Sequence, residues 1–194
     1  MNNKDLSIYA FLDKEFAIIN HWLSFAEAKN AAVIALDTAL IGISTRIIVS
    51  ETVFQNNCLL IFIITVLALI IISLILALFS FLPIMVSGKN LILVVYNKFI
   101  NVSGRASIRE DKNYIFYRDI ARLEKAENYL KMLMHNYGFP YFDKDQYLND
   151  MAQEIYINSQ VTVSKFIYFR LSASILIVAL GLALIGLLLM LYTA

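Results

Sequence analysis

Two charged side chains lie inside an apolar segment of this chain, where a charge can take part in chemistry. Asp37 and Arg46 belong to AAVIALDTALIGISTRIIV, residues 31–49, in which most other residues are apolar or small. An ionisable side chain within a membrane span belongs by default to a functional site, such as a pore lining or a contact with a neighbouring subunit. Asp37 and Arg46 are therefore candidates for a membrane function. The simpler interpretation is that Asp37 lies in an oligomer interface or is protonated there, and that Arg46 extends to the outer lipid headgroups.

A helix through residues 31–49 would place these two charges on opposite sides. Nine positions separate Asp37 from Arg46, which is about two and a half turns, so they can pair only between helices. A stripe of small residues lies on a different face of this helix from Asp37. Its members recur at helical spacing and are Ala31, Ala35, Thr38, Gly42 and Thr45. Such a stripe is typical of a surface that packs closely against another helix.

Motifs of common enzymes do not occur in the sequence. There is no GxxxxGK(S/T) or GxGxxG phosphate loop, no GxSxG nucleophile turn and no HExxH zinc motif. The two histidines, His21 and His135, are far apart, and the single cysteine, Cys58, excludes an intramolecular disulfide. We therefore expect a protein that is not an enzyme and that has no metal site and no cofactor. The net charge of +1 argues against a nucleic-acid polymer as a partner.

Aromatic residues and arginines are concentrated between residues 105 and 142. They are Tyr114, Phe116, Tyr117, Tyr137, Phe139, Tyr141 and Phe142, with Arg105, Arg109, Arg118 and Arg122. Aromatic faces stack on bases and arginine pairs with phosphate, so this composition suits a small nucleotide ligand. Aromatic residues are also common at membrane interfaces without any ligand, and both interpretations stay open.

Three apolar segments determine where these residues lie. With 60% hydrophobic and 16% charged residues, the chain is too apolar for an ordinary soluble domain. Residues 58–86 and residues 170–192 each reach the roughly 20 residues that cross a bilayer, so both predict membrane spans. Residues 31–49 are long enough as well, but Asp37 and Arg46 each cost about 2.5–3.5 kcal/mol near a helix centre. Hydropathy alone leaves this third segment undecided.

The distribution of lysine and arginine favours three spans. If residues 31–49 cross the membrane, residues 1–30 and the basic segment 87–169 share one side, and the loop at residues 51–57 has no Lys or Arg. Because Lys and Arg are enriched in cytoplasmic loops, we predict a multi-pass protein with its N-terminus inside and its C-terminus outside. The N-terminal helix at 1–30 and the domain at 87–169 are then cytoplasmic.

The fold class is predicted as mainly α, with three transmembrane helices and a small helical cytoplasmic domain between the second and third. In that domain, residues 90–102 fit a strand or an interfacial helix, and Ser103–Gly104 indicates a turn. A helix is expected from an N-cap at Asp119 to Gly138 and Pro140. Its apolar face consists of Ile120, Leu123, Ala126, Leu130 and Leu133. Another helix is expected to begin near Asp143–Asp145 and to continue unbroken from the cytoplasm into the last span.

Three pieces of the sequence, in order along the chain, resemble one bacterial family. They are HWLSFAEAKNAAVIAL, NYIFYRDIARLEKAENYL and QEIYINSQVTVSKFIYFRLSASILIVALGLALIGL. Together they resemble the transmembrane effector of the Pycsar anti-phage systems. The resemblance implies a receptor for a 3′,5′-cyclic pyrimidine nucleotide, cUMP or cCMP, made by a partner cyclase. It also implies that the activated effector disrupts the bacterial inner membrane and causes abortive infection.

The polar residues of the matched pieces are candidates for the ligand site that this resemblance implies. They are Arg118, Asp119, Asn158, Ser159 and Lys165, with Glu27 and Lys29 before the first span. Arg118 and Lys165 would offset the negative charge of a cyclic phosphate, and Asn158 would hydrogen-bond a base edge. Structural roles stay open for the same residues: Asp119 as a helix cap, and Lys165 at the cytoplasmic headgroup boundary.

The leading hypothesis is a ligand-gated, membrane-damaging effector of phage defence that acts in the lipid bilayer as a homo-oligomer. Two hypotheses from other classes stay open. One is a holin-like toxin that perturbs membranes without a ligand, which constitutive toxicity on modest expression would favour. The other is a non-toxic membrane assembly subunit whose helical domain docks a partner.

Overall fold

The computed structural model describes residues 3–49, 57–82, 115–123, 125–139 and 145–193. Within these ranges the regular structure is helical and no strand occurs, which confirms the mainly α prediction. The helices are α1 (Asn3–Ile48), α2 (Asn57–Phe79), α3 (Tyr117–Ile120), α4 (Ala126–Tyr137) and α5 (Gln146–Thr193). The predicted elements at residues 90–102 and at Ser103–Gly104 lie outside the described residues.

Three helices are long and apolar enough to cross a membrane, as predicted: α1, α2 and α5. With 46 and 48 residues, α1 and α5 are each about 70 Å long at about 1.5 Å per residue. This length exceeds a hydrocarbon core of about 30 Å, so only part of each helix lies in the bilayer. We assign to the membrane the most apolar parts, residues 31–48 of α1 and 170–192 of α5. The 23 residues of α2 match the core thickness.

The described chain divides into two compact units. The first unit comprises Met1–Phe25 and Pro83–Ser164, and the second comprises Ala26–Leu82 and Lys165–Ala194. The helices α3 and α4 belong to the first unit and α2 belongs to the second, whereas α1 and α5 contribute residues to both. The segments assigned to the membrane all belong to the second unit.

The first unit is held together by apolar faces of α1, α4 and α5. Its buried core consists of Ile8, Leu12, Ile19, Ile120, Leu123, Tyr129, Leu130, Leu133, Met134, Leu148, Ala152 and Ile155. The α5 members, Leu148, Ala152 and Ile155, are spaced by four and three positions and therefore share one helical face. Since burial of one Leu or Ile side chain contributes about 1.5–3 kcal/mol, this core is the main source of the unit's stability.

The predicted helix with Asp119 as its N-cap is wrong at its start. The chain instead forms the short α3, with Phe116 at the N-cap, and then turns before α4 begins. In that turn the Tyr156 hydroxyl donates a hydrogen bond to the Leu123 carbonyl over 2.9 Å. In a continuous helix the Leu123 carbonyl would accept a backbone N–H group. Here a side chain of α5 supplies the hydrogen bond instead. The predicted end is confirmed, since Gly138 is the C-cap with a φ of 68° in the left-handed region.

The start of α5 agrees with the prediction. Asp145 Oδ1 accepts the backbone N–H groups of Tyr147 at 3.1 Å and Leu148 at 3.3 Å, which is the geometry of an N-cap. Tyr9 of α1 donates its hydroxyl to Asp145 Oδ2. The Tyr9 bond first, and then the backbone bonds, hold the pKa of Asp145 below its ordinary value. From this cap α5 runs without a break to Thr193, so one helix includes the predicted last span.

Replacing Asp145 with alanine should lower the free energy of unfolding of the first unit by about 1–2 kcal/mol, because the helix cap is lost. Asp145→Asn is the matched control, since asparagine keeps an acceptor for both backbone N–H groups and should cost clearly less. Thermal unfolding of the detergent-solubilised chain, followed by the fluorescence of its single tryptophan, measures the change. Trp22 reports on this unit because its ring lies 5.7 Å from the Tyr117 ring. Equal losses in both variants would argue against a capping role.

The second unit packs the apolar parts of α1, α2 and α5 against one another. Its core consists of Val33, Val66, Ile70, Ala77, Leu176 and Ala179. Ile61 and Ile177 point outward and are 65% and 68% exposed, which suits side chains in contact with lipid tails. A Cβ added to Gly186 would overlap the Phe62 ring, so the glycine allows the close approach of α2 and α5.

The small-residue stripe of α1 does not pack against another helix among the residues that the structure describes, and its packing against a helix of another copy stays a prediction. Its members, Ala31, Ala35, Thr38, Gly42 and Thr45, are exposed, whereas Val33 and Asp37 are buried. The Thr38 and Thr45 hydroxyls each donate to the carbonyl four residues earlier, at 2.7 and 2.8 Å. Because these hydroxyls are satisfied within their own helix, the stripe can face lipid.

Candidate functional site

A cluster of polar residues lies in the second unit, with one member from each of its three helices. The Ser73 hydroxyl donates a hydrogen bond to Asp37 Oδ2 over 2.9 Å, and its oxygen also lies 3.0 Å from the Ser172 carbonyl. Asp37, Ser73 and Ser172 are all fully buried, with 0% exposure. We call these three residues the Asp37 cluster.

The Asp37 carboxylate is only partly satisfied in this cluster. Its Oδ1 is buried and has no hydrogen-bond partner among the described residues. Ser73 has one hydroxyl proton, so it donates either to Asp37 or to the Ser172 carbonyl at any moment. A buried polar atom without a partner costs about 1–3 kcal/mol. A rearrangement of the helices that gives Oδ1 a donor or water would remove this cost.

Arg46, the other predicted membrane candidate, is not part of the Asp37 cluster. It lies in the last turn of α1 and is exposed. The structure therefore does not bring Asp37 and Arg46 together, in agreement with the expectation that one helix cannot pair them.

Lys165 is buried in a polar contact of its own in the second unit. It is 8% exposed, its Nζ lies 3.1 Å from Glu27 Oε1, and it donates to the Ser80 carbonyl over 3.0 Å. The Asn30 amide donates to the Lys165 carbonyl at 3.1 Å, which joins α1 to α5 a second time. The ammonium group already contacts a carboxylate and a carbonyl and is nearly buried, so little of it is open to a phosphate.

Asn158 and Ser159 lie on α5 in the first unit. The Asn158 amide donates to Asn20 Oδ1 over 3.0 Å and so ties α5 to α1. Ser159 is fully buried, and its hydroxyl has no partner among the described residues. Both side chains lie within the packing of helices.

Arg118 and Asp119 lie on α3, also in the first unit. Arg118 is exposed, and Asp119 Oδ1 lies 3.8 Å from Arg122 Nη1, a weak surface ion pair. The residues predicted as one ligand site are thus divided between the two units, since Lys165 belongs to the second. Among the residues that the structure describes, no three His, Cys, Asp or Glu side chains form a group that could hold a metal ion.

A buried glutamate lies in the first unit, outside the part of α1 assigned to the membrane. Glu15 is 3% exposed, and its Oε2 has no hydrogen-bond partner among the described residues. Burial raises the pKa of Glu15 to about 7, against a smaller opposing effect of Lys14. Burial first, and then the charge of Glu15, raise the pKa of the fully buried Tyr129. The first unit therefore contains an acid that can titrate near neutral pH.

A polar cleft of about 450 Å³ opens in the first unit, between α4 and the first turns of α5. Its polar lining includes Lys125, Glu127, Lys131, Gln146, Asn149 and Gln153. None of these residues was selected from the sequence. A signal was present, since Gln146, Asn149, Asp150 and Gln153 recur at helical spacing and form one polar face of α5. A polar face alone is ordinary on a surface helix, and only the packing of α4 beside it makes a cleft.

The sequence from residue 11 to residue 192 matches the family model of the Pycsar effector protein domain. The chain belongs to the Pycsar effector family. The match begins within α1, in the first unit, covers all of α2 and nearly reaches the end of α5. It confirms the resemblance found in the three sequence pieces. This Pycsar effector is therefore a membrane protein of anti-phage defence. No curated protein matches the chain. No solved structure matches it either.

Proposed function

We propose that this Pycsar effector senses a 3′,5′-cyclic pyrimidine nucleotide, cUMP or cCMP, and then disrupts the bacterial inner membrane. The infected cell would stop growing before the phage matures. The observation that carries the proposal is the family match across residues 11–192, which covers most of the first unit and most of the three span-capable helices. A partner cyclase that responds to infection would supply the nucleotide.

The architecture supports separate roles for the two units, with ligand sensing in the first and membrane disruption in the second. In the proposal, the first unit is cytoplasmic together with the N-terminus, because the Lys and Arg residues of 1–30 and 87–169 then lie inside. The second unit is the membrane part, and its Asp37 cluster is the element that changes on activation. Because α5 contributes residues to both units, a ligand that shifts this helix in the first unit can act on the second.

The proposal includes assembly of several copies in the bilayer. The three spans of one copy pack against each other around an apolar core, and a lesion needs more helices around it than one copy supplies. The effector performs no catalytic step, needs no metal or cofactor, and binds no nucleic-acid polymer.

A vesicle assay tests this function directly. The purified full chain is reconstituted into vesicles of bacterial lipid with an entrapped dye, and cUMP, cCMP, cAMP and cGMP are added in parallel. We expect one pyrimidine nucleotide to release the dye at least about tenfold faster than the purine nucleotides, since a base-reading site discriminates strongly. Vesicles without protein, given the same nucleotides, are the control.

Two other outcomes would contradict the proposal. Release at the same rate with and without nucleotide would identify a ligand-independent, holin-like toxin. Selective binding of a nucleotide without any release would identify a membrane assembly subunit that is not itself toxic.

A further inference from the structure

We infer that the cleft between α4 and the first turns of α5 binds the cyclic mononucleotide, with the phosphate held by Lys125 and Lys131. This inference rests on the proposed function and adds to it the location and the chemistry of the site. It differs from the site implied by the family resemblance, because none of Arg118, Asn158 and Lys165 lines the cleft.

The shape of the cleft fits a ligand of this size. Its volume of about 450 Å³ lies within the range of about 300–1,000 Å³ that small-ligand sites occupy. Two helical faces form its walls. On α4, Glu127, Leu130, Lys131 and Met134 recur at spacings of three, one and three positions, as Gln146, Asn149, Asp150 and Gln153 do on α5.

The α4 side of the cleft carries two lysines and one carboxylate, Glu127, and therefore keeps one net positive charge for a phosphodiester. Lys125 and Lys131 are exposed, and neither forms an ion pair with another residue that the structure describes. A cyclic phosphate carries one negative charge, and two ammonium groups at the edge of one cleft can contact its oxygens. Lys165, in contrast, is buried against Glu27. The lysines of the cleft are therefore the better candidates for the phosphate.

The opposite wall offers groups that match a ribose and a pyrimidine base. Asn149 and Gln153 each carry an amide, which has both donors and an acceptor, as the edge of a pyrimidine base does. Gln146 donates to Asp150 Oδ1 over 2.7 Å, which orients that carboxylate within the cleft. Carboxylates accept hydrogen bonds from ribose hydroxyls in other nucleotide sites, and Asp150 on this wall can take this role, as can Glu127 on the α4 wall.

The floor of the cleft connects the ligand to the core of the first unit. Leu130 and Met134 of α4 are 5% and 7% exposed, and Ala152 of α5 is 2% exposed. All three line the cleft and also belong to the buried core. A base lying on this apolar floor would draw α4 and α5 together, and α5 would transmit the change along its length.

Isothermal titration of the full chain in detergent tests the site, with the nucleotide that releases dye from vesicles as the probe. Lys131→Met and Lys125→Met should each weaken binding by about tenfold, as expected for loss of a charge-assisted contact, and Gln153→Leu should weaken it by a similar factor. Lys14→Met is the matched control, because it removes an exposed lysine of the same unit that does not line the cleft. Its affinity should stay within about twofold of the wild type.

A labelling experiment gives a second readout that does not depend on the lysines. In a Cys58→Ser background, Asn149→Cys introduces a single thiol into the cleft, and the bound nucleotide should slow its reaction with a maleimide by several-fold. Wild-type affinity in all cleft variants, together with no protection of this thiol, would overturn the site and leave the proposed function intact. An equal loss in Lys14→Met would also overturn it, since the weaker binding would then follow from the overall charge of the unit. A wild-type protein that binds none of the four nucleotides would overturn both proposals.

Discussion

Replacing Asp37 with leucine is expected to abolish nucleotide-triggered leakage although the protein inserts into the membrane at least as well as the wild type. Asp37 Oδ1 is buried without a partner among the described residues, at a cost of about 1–3 kcal/mol to the packed helices. Leucine removes this cost and leaves Ser73 able to donate to the Ser172 carbonyl, 3.0 Å away. The packed arrangement should then be favoured about tenfold to a hundredfold more strongly, and activation should fail.

Failed membrane insertion would not explain a loss of leakage in Asp37→Leu. A carboxylate near the centre of a span costs about 2.5–3.5 kcal/mol on insertion scales, whereas leucine is favourable. The amount of protein in the membrane fraction should therefore stay equal or rise. Dye release from vesicles and plaque formation on expressing cells both measure the loss of function.

Two matched variants separate the explanations. Asp37→Asn keeps an acceptor for Ser73 and a buried polar atom without a partner, so it should release dye at a rate within a few-fold of the wild type. Ala39→Leu places the same leucine at an exposed position of α1 and should also remain active. Wild-type leakage by Asp37→Leu would show that the Asp37 cluster has no part in activation. An inactive Asp37→Asn would show that the charge itself is required.

The second large effect expected is a loss of stability of the first unit as the pH rises toward 7, caused by Glu15. Its pKa in the folded protein is about 7, raised from 4.5 by burial, so the folded state binds this proton more tightly than the unfolded state. The contribution of Glu15 therefore favours folding fully below about pH 4.5, declines between pH 4.5 and 7, and is constant above pH 7. A shift of this size corresponds to about 3 kcal/mol.

Glu15→Gln should remove this part of the pH dependence. Glutamine has nearly the same shape and no charge, so the variant should be more stable than the wild type at pH 8 and similar to it at pH 5. Thermal unfolding followed by Trp22 fluorescence at both pH values measures the difference. Glu154→Gln, at an exposed position of α5 in the same unit, is the control and should change neither value by more than about 0.5 kcal/mol. A parallel pH profile for Glu15→Gln and the wild type would contradict the prediction.

Features that depend on neighbouring residues were predictable from the sequence. The start of α5 follows from the bonds of the Asp145 side chain to the backbone. The end of α4 follows from the positive φ that Gly138 adopts. The unbroken course of α5 follows from the absence of Gly and Pro before Gly181. The three span-capable helices follow from the length of the apolar segments. Family membership was also predictable, because helical patterns in three pieces of sequence resembled the Pycsar effector before the family model confirmed it.

Features that depend on packing between residues distant in the chain were not predictable from the sequence. The break before α4 involves the bond from Tyr156 to Leu123, and these residues are 33 positions apart. Lys165 was proposed for the ligand, but its position beside Glu27 and the Ser80 carbonyl depends on how three helices meet. The cleft needs α4 and α5 side by side, although each polar face is visible in the sequence alone.

Asp37 shows most clearly which features the sequence determines and which depend on the tertiary structure. The sequence by itself determined that an acid lies in an apolar segment long enough to span a membrane, because composition and length are properties of the segment. Only the tertiary structure decided which face of α1 is buried. It placed Asp37 against Ser73, which also contacts the Ser172 carbonyl, and left the small-residue stripe exposed. The reason is that burial of a helix face depends on the shapes and polar groups of the helices that pack against it.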